Sequence, residues 1–550
     1  MKKMKKYAAA IMAAAMVLGS LAGCGSGSSD SSGSTKAPET KSAAVDTADQ
    51  GSDEGASASA DSDSKWMIGD PDDPIELTVF LNHTWYGTES FTGIIPDEIT
   101  KRTGIRLVPT KATDYTQLGV LAASGELPDL VFTSQMMDLL SDPDICYAYD
   151  ELIEQYNVDW DVPTTAQVNA KAFSQDDHYY FVFSHESSNK DWENTRSVPM
   201  VASISYRQDI YEELGSPKLE NVDDLDNLFA MVKEKYPDMT PLVFATTTWT
   251  LDPFKTANGC TLQDFMLNDD GTCDIVAKTE PFYNYLKYCN SMYQKGYINA
   301  DNFSWESSDS EAAMSAGKAF ARVGNTQSTN AEVETGLKDI APNAVMAEMG
   351  PLSDYPLINS EIGWSATFIT KNNKYPEESI RFMQFLFSEE GQKLSQWGRE
   401  GIDYTLDDKG LPVFSDEWNQ SIADNTNTEL YNTNYYFGGS KILEAEARCA
   451  VQPERYQATN DAIRESYDNQ EWYVYAAPKE ADGDYKVIYD KMRDYIKTGQ
   501  AKVILSANDE EFKENYDAFI DQLNDLNVDS LAEFMAPRLS EAKKLFRPEE

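Results

Sequence analysis

Basic side chains are scarce in this sequence. Lysine and arginine number 46 against 92 aspartates and glutamates, a formal net charge of −46 over 550 residues. Nucleic-acid binding needs a basic face, so no nucleic-acid partner is expected. The acidity also disfavours a strongly anionic ligand, unless a local basic pocket overrides the global field. Its expected role is solubility. Histidine is rarer still. His83, His178 and His185 have no metal-ligand spacing and H-E-x-x-H is absent, which argues against a histidine-based zinc site. G-x-S-x-G and P-loop patterns are missing too. No cofactor and no metal are expected. C-x-x-C does not occur. Cys24 apart, the cysteines are Cys146, Cys260, Cys273, Cys289 and Cys449. An odd number cannot all pair within one chain. Cys260 and Cys273 flank a turn at Asp269-Asp270-Gly271 and could form a disulfide; buried free thiols are the expected alternative.

The first residues have a different character. Lys2, Lys3, Lys5 and Lys6 precede an apolar run, Tyr7 to Leu18, that is too short to span a bilayer comfortably. Leu21-Ala22-Gly23-Cys24 follows. The layout is that of a secretory signal peptide over residues 1–23. LAGC resembles the bacterial lipobox, which implies that Cys24 is lipidated as the first mature residue. Two acyl chains anchor stably where one is marginal. Gly25 to Ser64 has almost no large apolar residues and cannot bury enough surface to fold. Residues 24–65 are read as the lipidated cysteine and a flexible tether.

The stretch from Ile99 to Ser134, ITKRTGIRLVPTKATDYTQLGVLAASGELPDLVFTS, organises the rest. Pro96 suits a first helical turn. Gly104 suits a left-handed helix end behind Lys101 and Arg102. Ile105-Arg106-Leu107 alternates as a strand does. Asp114 and Gln117 have capping-box spacing, and Leu118, Leu121 and Ala122 share a helical face. Gly125 and Pro128 end that helix before a buried strand, Leu130-Val131-Phe132. With the upstream strand Ile75 to Leu81, the order is β-α-β-α-β, half of a doubly wound α/β sheet.

ITKRTG followed by LAASGELPDLVF resembles the family 1 extracellular solute-binding proteins of bacterial ABC importers. The closest likeness is the lipoprotein branch of Gram-positive bacteria, which is associated with oligosaccharides. Tyr206-Arg207-Gln208-Asp209 with Leu214-Gly215 is similar to the segment that opens that family's second lobe. TEPFYNYLKYCNSMYQKGYIN from Thr279, MSAGKAFARVGN from Met314 and SEEGQKLSQWGREGIDYTLDDKGLPVF from Ser388 continue the likeness in order. NDLNVDSLAEFMAPRLSEAKKL resembles the last helices, and residues 420–497 are the least diagnostic. Some relatives carry a calcium loop of alternating Asp and Asn; Tyr236-Pro237-Asp238-Met239-Thr240-Pro241 departs from it, so no calcium is expected.

The resemblance implies a two-lobed, periplasmic-binding-protein-like fold (type 2). Hinge-connected, discontinuous lobes and a helical C-terminal cap belong to it. The expected first lobe is 66–203 plus 364–434, and the second is 204–363 plus 435–546. The implied function is a monomeric, lipid-anchored binding protein on the outer face of the cytoplasmic membrane. It would capture a solute, an oligosaccharide above all, and deliver it to an ABC importer permease. A surface glycoside hydrolase is the alternative class, since carboxylates abound. No motif selects a pair set roughly 5–9.5 Å apart, however. A sugar-sensing subunit of a signalling system is the third.

Ligands of open α/β sheets bind beyond the carboxyl ends of the strands. That rule places Trp85 and Tyr86, after Leu81, and Gln135, after Thr133, at a cleft. Trp249 follows the apolar Leu242-Val243-Phe244. Trp305 precedes the Met314 segment, Asn325 closes its strand, and Trp364 lies in the returning strand Ile362 to Thr370. Sugar rings present apolar C–H faces and a polar rim. Trp85, Tyr86, Trp249, Trp305 and Trp364 are the candidate plates, and Gln135 and Asn325 the candidate polar partners, for a neutral or weakly charged oligosaccharide. Packing beneath a loop is the competing role of each aromatic. Trp397 and Tyr404 are expected to pack their corner rather than touch ligand.

Overall fold

Helix Ile94–Thr103 starts two residues before Pro96 and ends on Gly104, whose φ is 70°. A Cβ at Gly104 would lie 2.2 Å from the backbone of Gly69. Glycine thus meets both a left-handed backbone and a close approach. The capping box expected at Asp114 and Gln117 does not form. Asp114 Oδ1 accepts instead from the Thr116 amide at 2.8 Å, an Asx turn, and Gln117 Oε1 reaches back to the Thr113 amide at 2.9 Å. Helix Gln117–Ser124 therefore begins beyond the aspartate.

The computed structural model describes residues 65–547, apart from 87–89, 188, 193–194, 196, 200, 246–247, 327–329, 360–361, 425, 434 and 480–481. The expected signal peptide, Cys24 and the tether lie outside the described residues. The strands that position the site are β1 (Ile75–Leu81), β2 (Ile105–Lys111), β3 (Leu130–Thr133), β4 (Phe183–Ser184), β5 (Ala202–Arg207), β6 (Thr240–Val243), β7 (Ala319–Asn325), β8 (Met346–Glu348), β9 (Leu357–Asn359), β10 (Ser365–Ile369) and β11 (Tyr467–Asn469). They form two main sheets of order β2-β1-β3-β10-β4 and β8-β5-β7-β6. β1 runs parallel to β2 and β3, and β10 antiparallel to β3 and β4 with Ala366 beside Thr133 and Ser365 beside Ser184. The carboxyl ends of β1, β3 and β4 therefore share one edge with the start of β10. In the second sheet β7 pairs antiparallel with β5, Asn325 beside Ala202, and parallel with β6, Val243 beside Arg322.

Each sheet has its own core. Phe132, Phe181 and Phe368 belong to the first, and Leu228, Phe229, Phe320 and Met535 to the second. β9 pairs in parallel with β11, which ties two of the chain segments that pass between the cores. The last passage comes later than residue 435, where the sequence placed it. Tyr435 and Phe437 are buried in the first core, and Leu443 and Ala447 of helix Lys441–Ala450 pack there as well. Ring contacts hold them: Phe91 to Tyr435 at 4.9 Å and Phe132 to Phe437 at 5.0 Å. Trp472 is the first large residue of this segment in the second core. Helices Asp484–Ile504, Asp509–Asp525 and Val528–Phe546 cover that core. The Asn508 cap expected for the middle one forms, its Oδ1 accepting from the Glu511 amide at 3.0 Å.

The SEEGQ segment also works structurally. Ser388 Oγ accepts from the Gly391 amide at 3.1 Å, and Glu390 accepts from Trp66 and Arg102, both at 2.8 Å. Cys260 and Cys273 remain free thiols, as do Cys146 and Cys289. No helix among the described residues is long and apolar enough to cross a membrane.

Candidate functional site between the two sheets

After Leu81 the chain turns through Asn82-His83-Thr84-Trp85-Tyr86. Asn82 Nδ2 donates to Thr133 Oγ1 at 3.0 Å, and His83 Nε2 lies 2.8 Å from Ser365 Oγ. The loop is thereby stitched to β3 and β10, and Trp364 immediately precedes β10. The result is an aromatic platform on the carboxyl edge of the first sheet. Trp85 and Trp364 lie 5.5 Å apart, inclined at 53°. Tyr436 closes the group at 5.9 Å from Trp364 and 6.3 Å from Trp85. Trp85 is 55% exposed. An indole that open, on a built aromatic base, differs from a scattered surface apolar residue.

Tyr86 does not serve as a plate. It is wholly buried and stacks under Trp85 at 5.6 Å and 19°. Its carbonyl accepts from Lys111 Nζ at 3.0 Å, and burial raises its phenol well above the usual range. It is the floor beneath Trp85. His83 is a second support, 5.1 Å from Trp85 and 5.4 Å from Trp364. Burial lowers its pKa to about 4, so the imidazole is neutral at physiological pH. His185, also buried, backs Trp364 at 5.3 Å and Tyr436 at 5.8 Å. A Cβ on Gly439 would lie 2.2 Å from its ring, so only glycine fits there. Gln135 is exposed at the end of β3, its backbone held by Thr133 Oγ1 at 2.9 Å.

The second sheet contributes Trp249, in the turn after β6, and Asn325, at the end of β7; both are partly exposed. Trp305 is not brought to them. It packs on a small cluster with Val243, Met314, Val333 and Leu337, because the turn before helix Ser307–Ser315 folds it inward. A crevice of about 560 Å³ runs between the two bodies. Asp138 and Phe173 wall it from the first; Trp249, Tyr473, Tyr489 and Lys479 wall it from the second. Tyr436, Tyr473 and Lys479 escaped sequence reasoning. The signal for the two tyrosines was the aromatic runs Tyr435-Tyr436-Phe437 and Trp472-Tyr473-Val474-Tyr475; Lys479 carried none.

No curated protein matches this chain. Solved structures do. An alginate-binding protein, AlgQ2, superposes with a TM-score of 0.64 at 19% identity, covering 87% of this chain and 100% of its own. FusA, an ABC-transporter substrate-binding protein of S. pneumoniae in complex with kestose, gives 0.64 at 16%, covering 85% and 99%. NgtS, an N-glycan transport solute-binding protein of Streptococcus pneumoniae in complex with Man1GlcNAc, gives 0.53 at 14%, covering 85% and 99%. At such identities the likeness establishes the fold, a two-lobed α/β solute-binding architecture. The profile of a family described as bacterial extracellular solute-binding proteins matches residues 95–399, more than half of the sequence. The chain is a member of that bacterial extracellular solute-binding protein family.

Proposed function

We propose that this protein captures an oligosaccharide between its lobes and delivers it to the permease of an ABC importer, without covalent chemistry. It acts as a monomer, held by a lipid on Cys24 at the outer face of the cytoplasmic membrane. The observation that carries the reading is the open Trp85–Trp364 platform at the carboxyl edge of the first sheet. Trp249 is assigned as the second-lobe plate, and Gln135 and Asn325 as the polar partners. The similar structures named above, an alginate-binding protein and two proteins in complex with kestose and Man1GlcNAc, add support. A panel of oligosaccharides tests it by thermal shift. Ligand at 100 times its dissociation constant adds about 2.7 kcal/mol to stability. At least one sugar should raise the melting temperature and be recovered unhydrolysed. If none does but a peptide or amphiphile does, the ligand class is wrong.

Trp85→Ala should remove the shift and leave the ligand-free protein folded, because the indole is half open. Losing that contact costs about 1.5–3 kcal/mol of buried apolar area, which is about tenfold to hundredfold in affinity. Calorimetric titration of both proteins with the same sugar checks this. Cys24→Ser should release the protein to the medium or leave an uncleaved precursor. Fractionation followed by mass spectrometry distinguishes these outcomes; a processed, membrane-bound variant would remove the lipid anchor from the proposal. Deletion should abolish uptake of the sugar, whereas a sensing role would show as a lost transcriptional response with uptake intact.

A further inference from the structure

The crevice departs from the charge of the chain around it. Five cationic side chains line it against four carboxylates, in a molecule with twice as many acidic as basic residues. Three of the cations are matched. Lys255 lies 2.8 Å from Asp252, Lys486 2.7 Å from Asp490 and Arg493 3.4 Å from Asp264. Lys479 is different. It follows Pro478 just beyond helix Trp472–Ala476 and is half-buried. Among the described residues its ammonium forms no ion pair; it lies 5.3 Å from the Tyr475 ring, while the Lys479 backbone amide donates to Asp482 Oδ2 at 2.7 Å. Burial and the charge of Arg538 hold its pKa below the usual lysine value, against the pull of Asp482, Asp138 and Asp177. Arg538 itself is engaged by Asp482 at 3.3 Å and by the Ala476 carbonyl at 3.0 Å. A half-buried cation beside a second cation gains from an incoming anion. Trp249, Tyr473 and Phe173 place aromatic faces in the same crevice, whose volume of about 560 Å³ suits a small ligand.

We propose that this crevice receives a carboxylate-bearing sugar residue, with Lys479 as its counter-ion and Trp249 as a flanking plate. The inference rests on the oligosaccharide reading and adds a charge requirement to it. In this crevice a local basic lining opposes the global field. The acidic exterior still disfavours a polyanion, so a short chain with few carboxylates fits best.

The test uses the mature protein, oligogalacturonates of two to four residues, and the same oligomers after carboxyl reduction. Wild type should bind the acidic form at least about tenfold more tightly than the reduced form, as expected for hydrogen bonding to a charged group. That preference should weaken as salt rises. Lys479→Met should erase the preference by lowering the affinity for the acidic form; Lys479→Arg should keep it. Equal binding of the two forms by wild type, or a preference that survives Lys479→Met, overturns the charge requirement and leaves sugar capture standing. Binding of neither form overturns this inference. Sugar capture as a whole falls only if the neutral panel fails as well.

Discussion

His83→Gln and Glu186→Gln are expected to give stability profiles of opposite slope between pH 4 and 7. His83 is buried and neutral, with its pKa lowered to about 4 from 6.5 by burial. The unfolded chain therefore binds the extra proton across that window. The contribution of His83 is full above about pH 6.5 and is lost as the pH falls to about 4. Glu186 does the reverse. It lies on the first passage between the lobes, and burial raises its pKa to about 7, against the hydrogen bond from Asn169 and with help from Asp191 and Glu471. Its contribution is full below the ordinary carboxylate range and is lost as the pH rises to about 7. At about 1.36 kcal/mol per pKa unit, each shift amounts to about 3 kcal/mol over its full window. The two slopes offset each other in the wild type. Glu186→Gln should leave a protein that gains about 3 kcal/mol from pH 4 to 6.5, and His83→Gln one that loses a similar amount. All other carboxylates titrate alike in both variants, so the difference between the curves isolates the pair. Urea unfolding followed by tryptophan fluorescence at three pH values reads it out. Parallel curves would show that neither buried group titrates away from its ordinary range.

The first sheet was legible because its periods and stop signals agree locally. Ile75 to Leu81, Gly104, and the run to Thr133 each say the same thing at two levels, and β1 to β3 fall where they were read. The edge rule then brought Trp85 and Gln135 to one side, since it depends only on strand direction; Trp364 joins them because the antiparallel β10 starts at that edge. What failed depended on distant partners. Tyr86 looks like a plate in sequence and becomes a floor because Trp85 stacks over it. Trp305 looks equally free and is taken up by a small apolar cluster. Asp114 has the spacing of a cap, but Thr116 engages it first. Residues 435–450 do not declare a lobe in sequence; their ring contacts with Phe91 and Phe132 and the packing of Leu443 and Ala447 assign them to the first core. Lys479 has no motif at all. Its neighbours Arg538 and Asp138 lie 59 and 341 residues away and meet it only through the folded chain.

Trp397→Ala should be the most destabilising single change, and it should leave recognition intact. Trp397 belongs to the SEEGQ…WG segment that continues the family likeness, so it invites a functional role. Its surroundings assign it packing. The indole is 2% exposed, meets Tyr404 edge-on at 5.3 Å and donates Nε1–H to the Leu443 carbonyl at 2.8 Å. That bond ties helix Glu389–Trp397 to helix Lys441–Ala450, the element that keeps the last passage on the first lobe. Truncation leaves a cavity the size of an indole and removes that bond. Comparable aromatic truncations cost about 3–5 kcal/mol, a large share of the stability of a typical domain. Trp85→Ala should show the opposite pattern, with affinity lost and stability kept, because its ring is open and packs on one face only. Thermal melts and sugar titrations on both variants give four numbers. A Trp397→Ala protein that melts like wild type, or one that is fully folded and yet blind to sugar, would place Trp397 in the binding site instead of the corner.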